Sequence, residues 1–189
     1  MRLFLGLFLS VFLAGNALGQ NPFSVLGRVV TTTMDMRTKA EVTADAEISG
    51  GASKRLLDDK KAEWAGVTVL VFAQHVVLAG AVKTDAVKKR VEELVKQDKR
   101  IRSLKNELQV GDVGSLARDT ALEAEINAKL TAAKGISSVN MRWCATGGRV
   151  VLMGVAQSQQ EADAVQRVVR PIKGVKALIA HLRVVPHKK

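Results

Sequence analysis

The sequence predicts an α+β protein made of two tandem units, each ordered αββαβ, with a three-stranded sheet and two helices packed on one face. Three observations lead there. The phrase HVVLAGAV at residues 75–82 returns as RVVLMGVA at residues 149–156. Anchored on Gly80 and Gly154, the two copies lie 74 residues apart, and their register runs without a gap from Asp45 and Asp119 to Val110 and Val184. Inside each copy, helical periodicity and strand alternation follow one another in the same order. A repeat of this length fixes the architecture ahead of any local detail.

The register preserves apolar phase rather than identity. Ile48 meets Leu122, Leu56 meets Leu130, Val91 meets Val165, and Val95 meets Val169. Further on, Ile101 meets Val175, Leu104 meets Leu178, and Leu108 meets Leu182. A duplicated fold keeps its buried positions in this way while its surface drifts.

The second copy gives the clearer signals. Asp119 reads as an N-cap, and Leu122, Ile126 and Leu130 recur on one helical face. Val139, Met141 and Trp143 alternate as in a half-buried strand. Thr146-Gly147-Gly148 is hairpin-turn chemistry, because glycine reaches positive φ without steric cost. The return strand RVVLMGV follows. Ser158 and Glu161 have the spacing of a capping box, opening a helix that points Val165, Val168, Val169 and Ile172 inward. Gly174 breaks that helix, and Leu178, Ala180, Leu182 and Val184 keep phase along a last strand. In the first copy, Gly50 and Gly51 fall within the first helix at about 1 kcal/mol each. Arg100 stands where the second copy has Gly174, so the first unit is expected to be the less regular.

A helical crossover between the second and third strands places both helices on one side of the sheet. Gly80 and Gly154 are expected where the hairpin leaves for that crossover, as structural glycines whose side chain would obstruct the chain beneath. No G-x-G-x-x-G or G-K-[ST] follows them, so they are not read as a phosphate loop.

The remaining features bound the function. Of 189 residues, 47% are apolar, enough for packed cores, and the formal charge of +11 favours an anionic partner. Arg2, the apolar stretch at 3–18 and the small residues Ala17 and Gly19 read as a cleavable signal peptide over residues 1–19. This implies export. The rest divides into a lead-in at 20–44, units at 45–110 and 116–185, a linker at 111–115 and a basic tail at 186–189. Cys144 is the single cysteine, so no lipobox thiol is available for a lipid anchor and no intramolecular disulfide can form. It reads as a small hydrophobe in a strand.

Enzyme chemistry is not indicated. His75, His181 and His187 are assigned to a turn, a strand and the tail, with no metal-ligand spacing and no nucleophile motif around them. No catalytic residue, metal ligand or cofactor is assigned. Trp64 and Trp143 read as packing residues, and 4% aromatics without tyrosine supply no stacking platform for nucleic acid.

These motifs resemble the BON-domain family (bacterial OsmY and nodulation). The resemblance rests on Val76-Val77-Leu78-Ala79-Gly80 with Thr84, and on Val150-Val151-Leu152-Met153-Gly154 with Ser158. Gly174-Val175 and Leu182-Arg183-Val184 close the second copy, as Ile101 and Leu108-Gln109-Val110 close the first. The layout is similar to that of dual-BON envelope proteins, down to a polar lead-in at 35–45. The resemblance implies a non-enzymatic protein of envelope integrity or stress protection that engages anionic phospholipid through its second unit. An alternative is a protein-interaction or structural module for an outer-membrane or cell-wall component. Many such proteins are lipoproteins, and this chain departs by lacking the lipobox cysteine. It also presents Arg118, Asp119, Thr120 and Ala121 where the resemblance implies an aromatic suited to membrane insertion.

Charge by unit agrees with a second-unit surface. Residues 45–110 carry 13 basic and 10 acidic side chains, and residues 116–185 carry 10 and 5. Two lipid-binding surfaces compete there: Leu116, Arg118 and Lys129 around the first helix, and Arg167, Arg170, Lys173 and Lys176 at the end of the second. Each cation adds about 1 kcal/mol near an anionic bilayer, weakened by salt. In the first unit the basic residues of the second helix interleave with Glu92, Glu93 and Asp98, which reads as a solvated face.

Overall fold

A computed structural model describes residues 35–60, 64–112 and 114–186. The signal-peptide reading and His187 fall outside them. The first unit comprises α1 (Lys39–Asp58), β1 (Val67–Phe72), β2 (His75–Val82), α2 (Asp85–Lys96), β3 (Ser103–Asn106) and β4 (Gln109–Val110). The second comprises α3 (Leu116–Ala132), a 3-10 turn (Ser138–Asn140), β5 (Met141–Thr146), β6 (Arg149–Ala156), α4 (Gln159–Val169) and β7 (Ala177–Val184). Both are αββαβ, as the repeat predicts.

The hairpins copy one another residue for residue. β1 and β2 pair antiparallel from Val67↔Gly80 to Phe72↔His75, and β5 and β6 from Met141↔Gly154 to Thr146↔Arg149. The third strand then pairs parallel with the second. In the second unit β7 runs unbroken along β6, whereas the first unit splits it into β3 and β4. Asn106 sits at the split, where the second unit has Ala180. Its amide donates to Lys88 O and Glu92, and its Oδ1 accepts from Leu108 N, replacing a ladder bond with a local one. The irregularity of the first unit therefore lies here. Gly50 and Gly51 do not interrupt α1, because buried Ile48, Ala52 and Leu56 hold its face.

Two helix starts differ from the sequence expectation, and one cap differs in detail. α1 opens at Lys39 on a full capping box: Thr38 Oγ1 accepts from Glu41 N, and Glu41 Oε2 accepts from Thr38 N. Asp119 is not the N-cap of α3. Ser115 holds that place without a side-chain bond, while Asp119 is buried one turn further on. Ser158 caps α4 through Glu161 N, but the Glu161 carboxylate reaches past it to Gln157 N and Ser137 N.

Three apolar clusters give the layers. One lies between α1, α2 and the first sheet, and a second between α3, α4 and the second sheet. The third joins the sheets back to back, with Leu70, Phe72, Val77 and Ala79 against Cys144, Val151, Met153 and Val155. The order is helix, sheet, sheet, helix. Residues 141–146 are thus buried on both faces rather than half-buried, and Val139 belongs to the 3-10 turn. Equivalent positions meet at this junction: Leu70 and Cys144, Val77 and Val151, and Ala79 and Met153 share the cluster. Glu107 binds its own equivalent, His181, at 3.0 Å, and also takes Arg149 at 2.8 Å. The two copies therefore pack about an approximate twofold axis.

Gly80 and Gly154 act by close approach. A Cβ on either would lie 2.0 Å from Gly66 O or 2.1 Å from Asn140 O, and their φ angles are +109° and +153°. They sit two residues before the strand ends, slightly earlier than the crossover exit the sequence suggests. Gly174 has φ +103°, and a Cβ there would meet Leu122 only at an ordinary van der Waals distance of 3.9 Å, so its need is conformational. His75 opens β2 instead of lying in the turn, with Nδ1 2.6 Å from Ser103 Oγ.

Candidate functional site

The first turns of α3, the β5–β6 hairpin and the loop from α4 to β7 enclose a cleft of about 540 Å³. α3 is held against the hairpin by Asp119, whose Oδ2 accepts from Gly147 N at 3.1 Å. Gly147 and Gly148 take positive φ in the turn, and Gly174 does so in the α4–β7 loop. Lys176 N then donates to Gly148 O, fastening that loop to the hairpin. Three cations line the walls so formed: Arg118 from α3, and Lys173 and Lys176 from the loop. Asp119 and Glu125 are the acids among the lining residues.

The structure thus brings together residues that the sequence assigns to two separate surfaces. Arg118 and the pair Lys173 and Lys176 border one space. Leu116 is exposed on the first turn of α3, while Lys129, Arg167 and Arg170 are exposed elsewhere on the helices. Among the described residues, none of Arg118, Lys129, Arg167, Arg170, Lys173 and Lys176 is ion-paired with a carboxylate; Arg170 bonds the neutral Gln166. Sequence reasoning missed the cleft because its walls come from three segments, at 114–125, 147–148 and 173–176, that only the fold brings together.

The corresponding place in the first unit is filled by ion pairs. Arg102 binds Glu41 at 2.9 Å, and Arg100 binds both Glu47 and Asp98. Arg100's hydrogen bonds hold the Asp98 carboxyl well below the usual carboxylate range, and they outweigh its burial. At the sheet junction, burial pushes the Cys144 thiol up to about 11, which keeps it protonated and inert near neutrality. Among the described residues, no cluster of three or more His, Cys, Asp or Glu is placed to hold a metal ion. No described helix is long and apolar enough to cross a membrane.

The BON-domain sequence profile matches residues 36–112 and again residues 118–186. The chain belongs to the BON-domain family. This BON-domain protein is 34% identical over 124 residues to an uncharacterized protein in the gshII 5′ region of Anaplasma centrale, covering 64% of this chain and 82% of that one. It is 27% identical over 139 residues to the osmotically-inducible protein Y of Escherichia coli strain K12, covering 71% and 69%. Among solved structures it is similar to CdsD, a structural protein of the Type III secretion system of Chlamydia trachomatis. That match has 15% identity and a TM-score of 0.33, covering 73% of this chain and 63% of that one.

Proposed function

We propose that this BON-domain protein is exported to the periplasm and serves, without catalysis, in envelope integrity under osmotic or envelope stress, docking peripherally on anionic phospholipid. Its similarity to an osmotically-inducible protein supports the stress setting. The observation that carries the lipid reading is the set of exposed second-unit cations with no carboxylate partner among the described residues, beside the exposed Leu116. Such a surface attracts an anionic bilayer through a field that salt screens.

Co-sedimentation of the mature protein with phosphatidylglycerol-containing vesicles tests this. Binding is expected at low salt, with loss at high salt, and Arg118→Glu and Arg170→Glu each weaken it about fivefold. No pelleting with anionic vesicles at low salt would sink the reading. A second reading, an interaction module for an outer-membrane or cell-wall component, draws on the edge of β7. That strand pairs only with β6 among the described strands and ends on exposed Val184 and Val185. It is a place where a partner strand adds on.

A further inference from the structure

We infer that the cleft of the second unit is a discrete pocket for one phosphate-type anion, the counterpart of a place that the first unit has closed with its own carboxylates. The inference rests on the reading of the second unit as the anion-binding half and says where the anion sits. The 74-residue offset pairs the two places wall by wall. Glu41, which binds Arg102, corresponds to Ser115, and Arg102 itself to Lys176. Glu47, which binds Arg100, corresponds to Ala121, and Arg100 to Gly174. Ala44 corresponds to Arg118, and Lys99 to Lys173.

Relative to the first unit, then, the second lacks both bridging acids, keeps cations at two positions and has one more at Arg118. Of the two carboxylates that remain, Asp119 is buried and engaged with Gly147 N, which leaves Glu125 as the exposed acid. A cleft with three cations against one exposed acid and a volume of about 540 Å³ accommodates a phosphate group and the small alcohol it esterifies. Arg118 offers a planar fork to two phosphate oxygens, while the lysines act as point charges. An internal carboxylate competes with such a ligand, and in the first unit it is already bound.

The test uses the mature protein and two kinds of probe. Inorganic phosphate and glycerol 3-phosphate are titrated at constant ionic strength while the backbone amide resonances are followed. Saturable shifts are expected at Gly147, Gly148, Gly174 and Lys176, with none at Gln74 or Arg102. Ser115→Glu moves the first unit's acid into the cleft opposite Lys176 and lowers phosphate affinity about fivefold. Ser115 makes no side-chain cap bond, so this change removes no helix-capping hydrogen bond; Lys176→Gln provides a second, independent variant. Absence of saturable shifts in the wild type, or unchanged affinity in both variants, overturns the inference.

The vesicle arm separates the sources. If Ser115→Glu also weakens binding to phosphatidylglycerol vesicles, the anion is a lipid headgroup. If phosphate binds the cleft but vesicles do not bind at all, the cleft stands as a site for soluble phosphate compounds and the membrane reading fails. If vesicles bind and the cleft ignores phosphate, the membrane reading stands and the cleft inference falls.

Discussion

At the same place in the fold, the two units solve one problem in opposite ways. Each must hold the start of its first helix against its hairpin turn through a buried aspartate. In the first unit the turn is made by Ala73 and Gln74, both at positive φ, a conformation costing about 1–2 kcal/mol for each such residue. Asp45 holds them there by accepting from both backbone N–H groups, at 2.8 and 2.6 Å, and Arg37 closes over its carboxylate while stacking on Phe72. In the second unit Gly147 and Gly148 adopt the turn freely; Asp119 accepts from Gly147 N alone, and Glu123 of α3 accepts from Ala145 N of β5. The first unit is held by an arginine-covered aspartate and filled by ion pairs. The second is held by two separate carboxylates and keeps open space beside the equivalent aspartate.

The largest expected effect checks how much of that frame is shared. Gly80→Ala and Gly154→Ala each force a Cβ into a backbone carbonyl and should each cost about 4 kcal/mol or more. Chemical denaturation measures it, and a cost below about 1 kcal/mol in one copy would break the equivalence of the hairpins.

A smaller effect separates the units by pH. The native-state pKa of Asp98 is depressed chiefly by Arg100, so its contribution is full above the unfolded value near 4 and is lost as pH falls below it. Among the described residues, no such bridge spans the second unit's cleft. Amides at the end of α2 are therefore expected to lose hydrogen-exchange protection at higher pH than those at the end of α4, and Asp98→Asn should flatten that difference. Simultaneous loss in both units would remove the contrast.

The smallest effect concerns α1. Nothing lies within 4 Å of a Cβ built on Gly50, whereas one on Gly51 meets Asp98 and Arg55 at 3.2–3.3 Å. Gly50→Ala should raise stability by about 1 kcal/mol, read as a higher melting temperature, and Gly51→Ala by less.

Much of this was legible in the sequence, and what was not has particular causes. Apolar phase and turn glycines placed the helices and hairpin of the second unit, because those signals are local, and the 74-residue repeat carried them to the first, whose turn at Ala73 and Gln74 has no glycine. The burial of β1 on both faces was also written in VTVLVF, in which both faces are apolar except for Thr68. The equivalent β5 masks that signal, because Arg142 and Thr146 are buried among its apolar residues. Asp119 looked like a cap because a cap and a turn-binding aspartate ask for the same side chain. The cleft was beyond local reading: Arg118 and Lys176 are neighbours only after the α4–β7 loop is fastened to the hairpin.

The back-to-back sheets also limit how the molecule can touch another body. With the helices on the two outer layers, the helical faces of the two units look in opposite directions. A flat surface can meet one of them at a time, so the duplicated chain gains no avidity on a single sheet of ligand. It grips one surface once, or it stands between two.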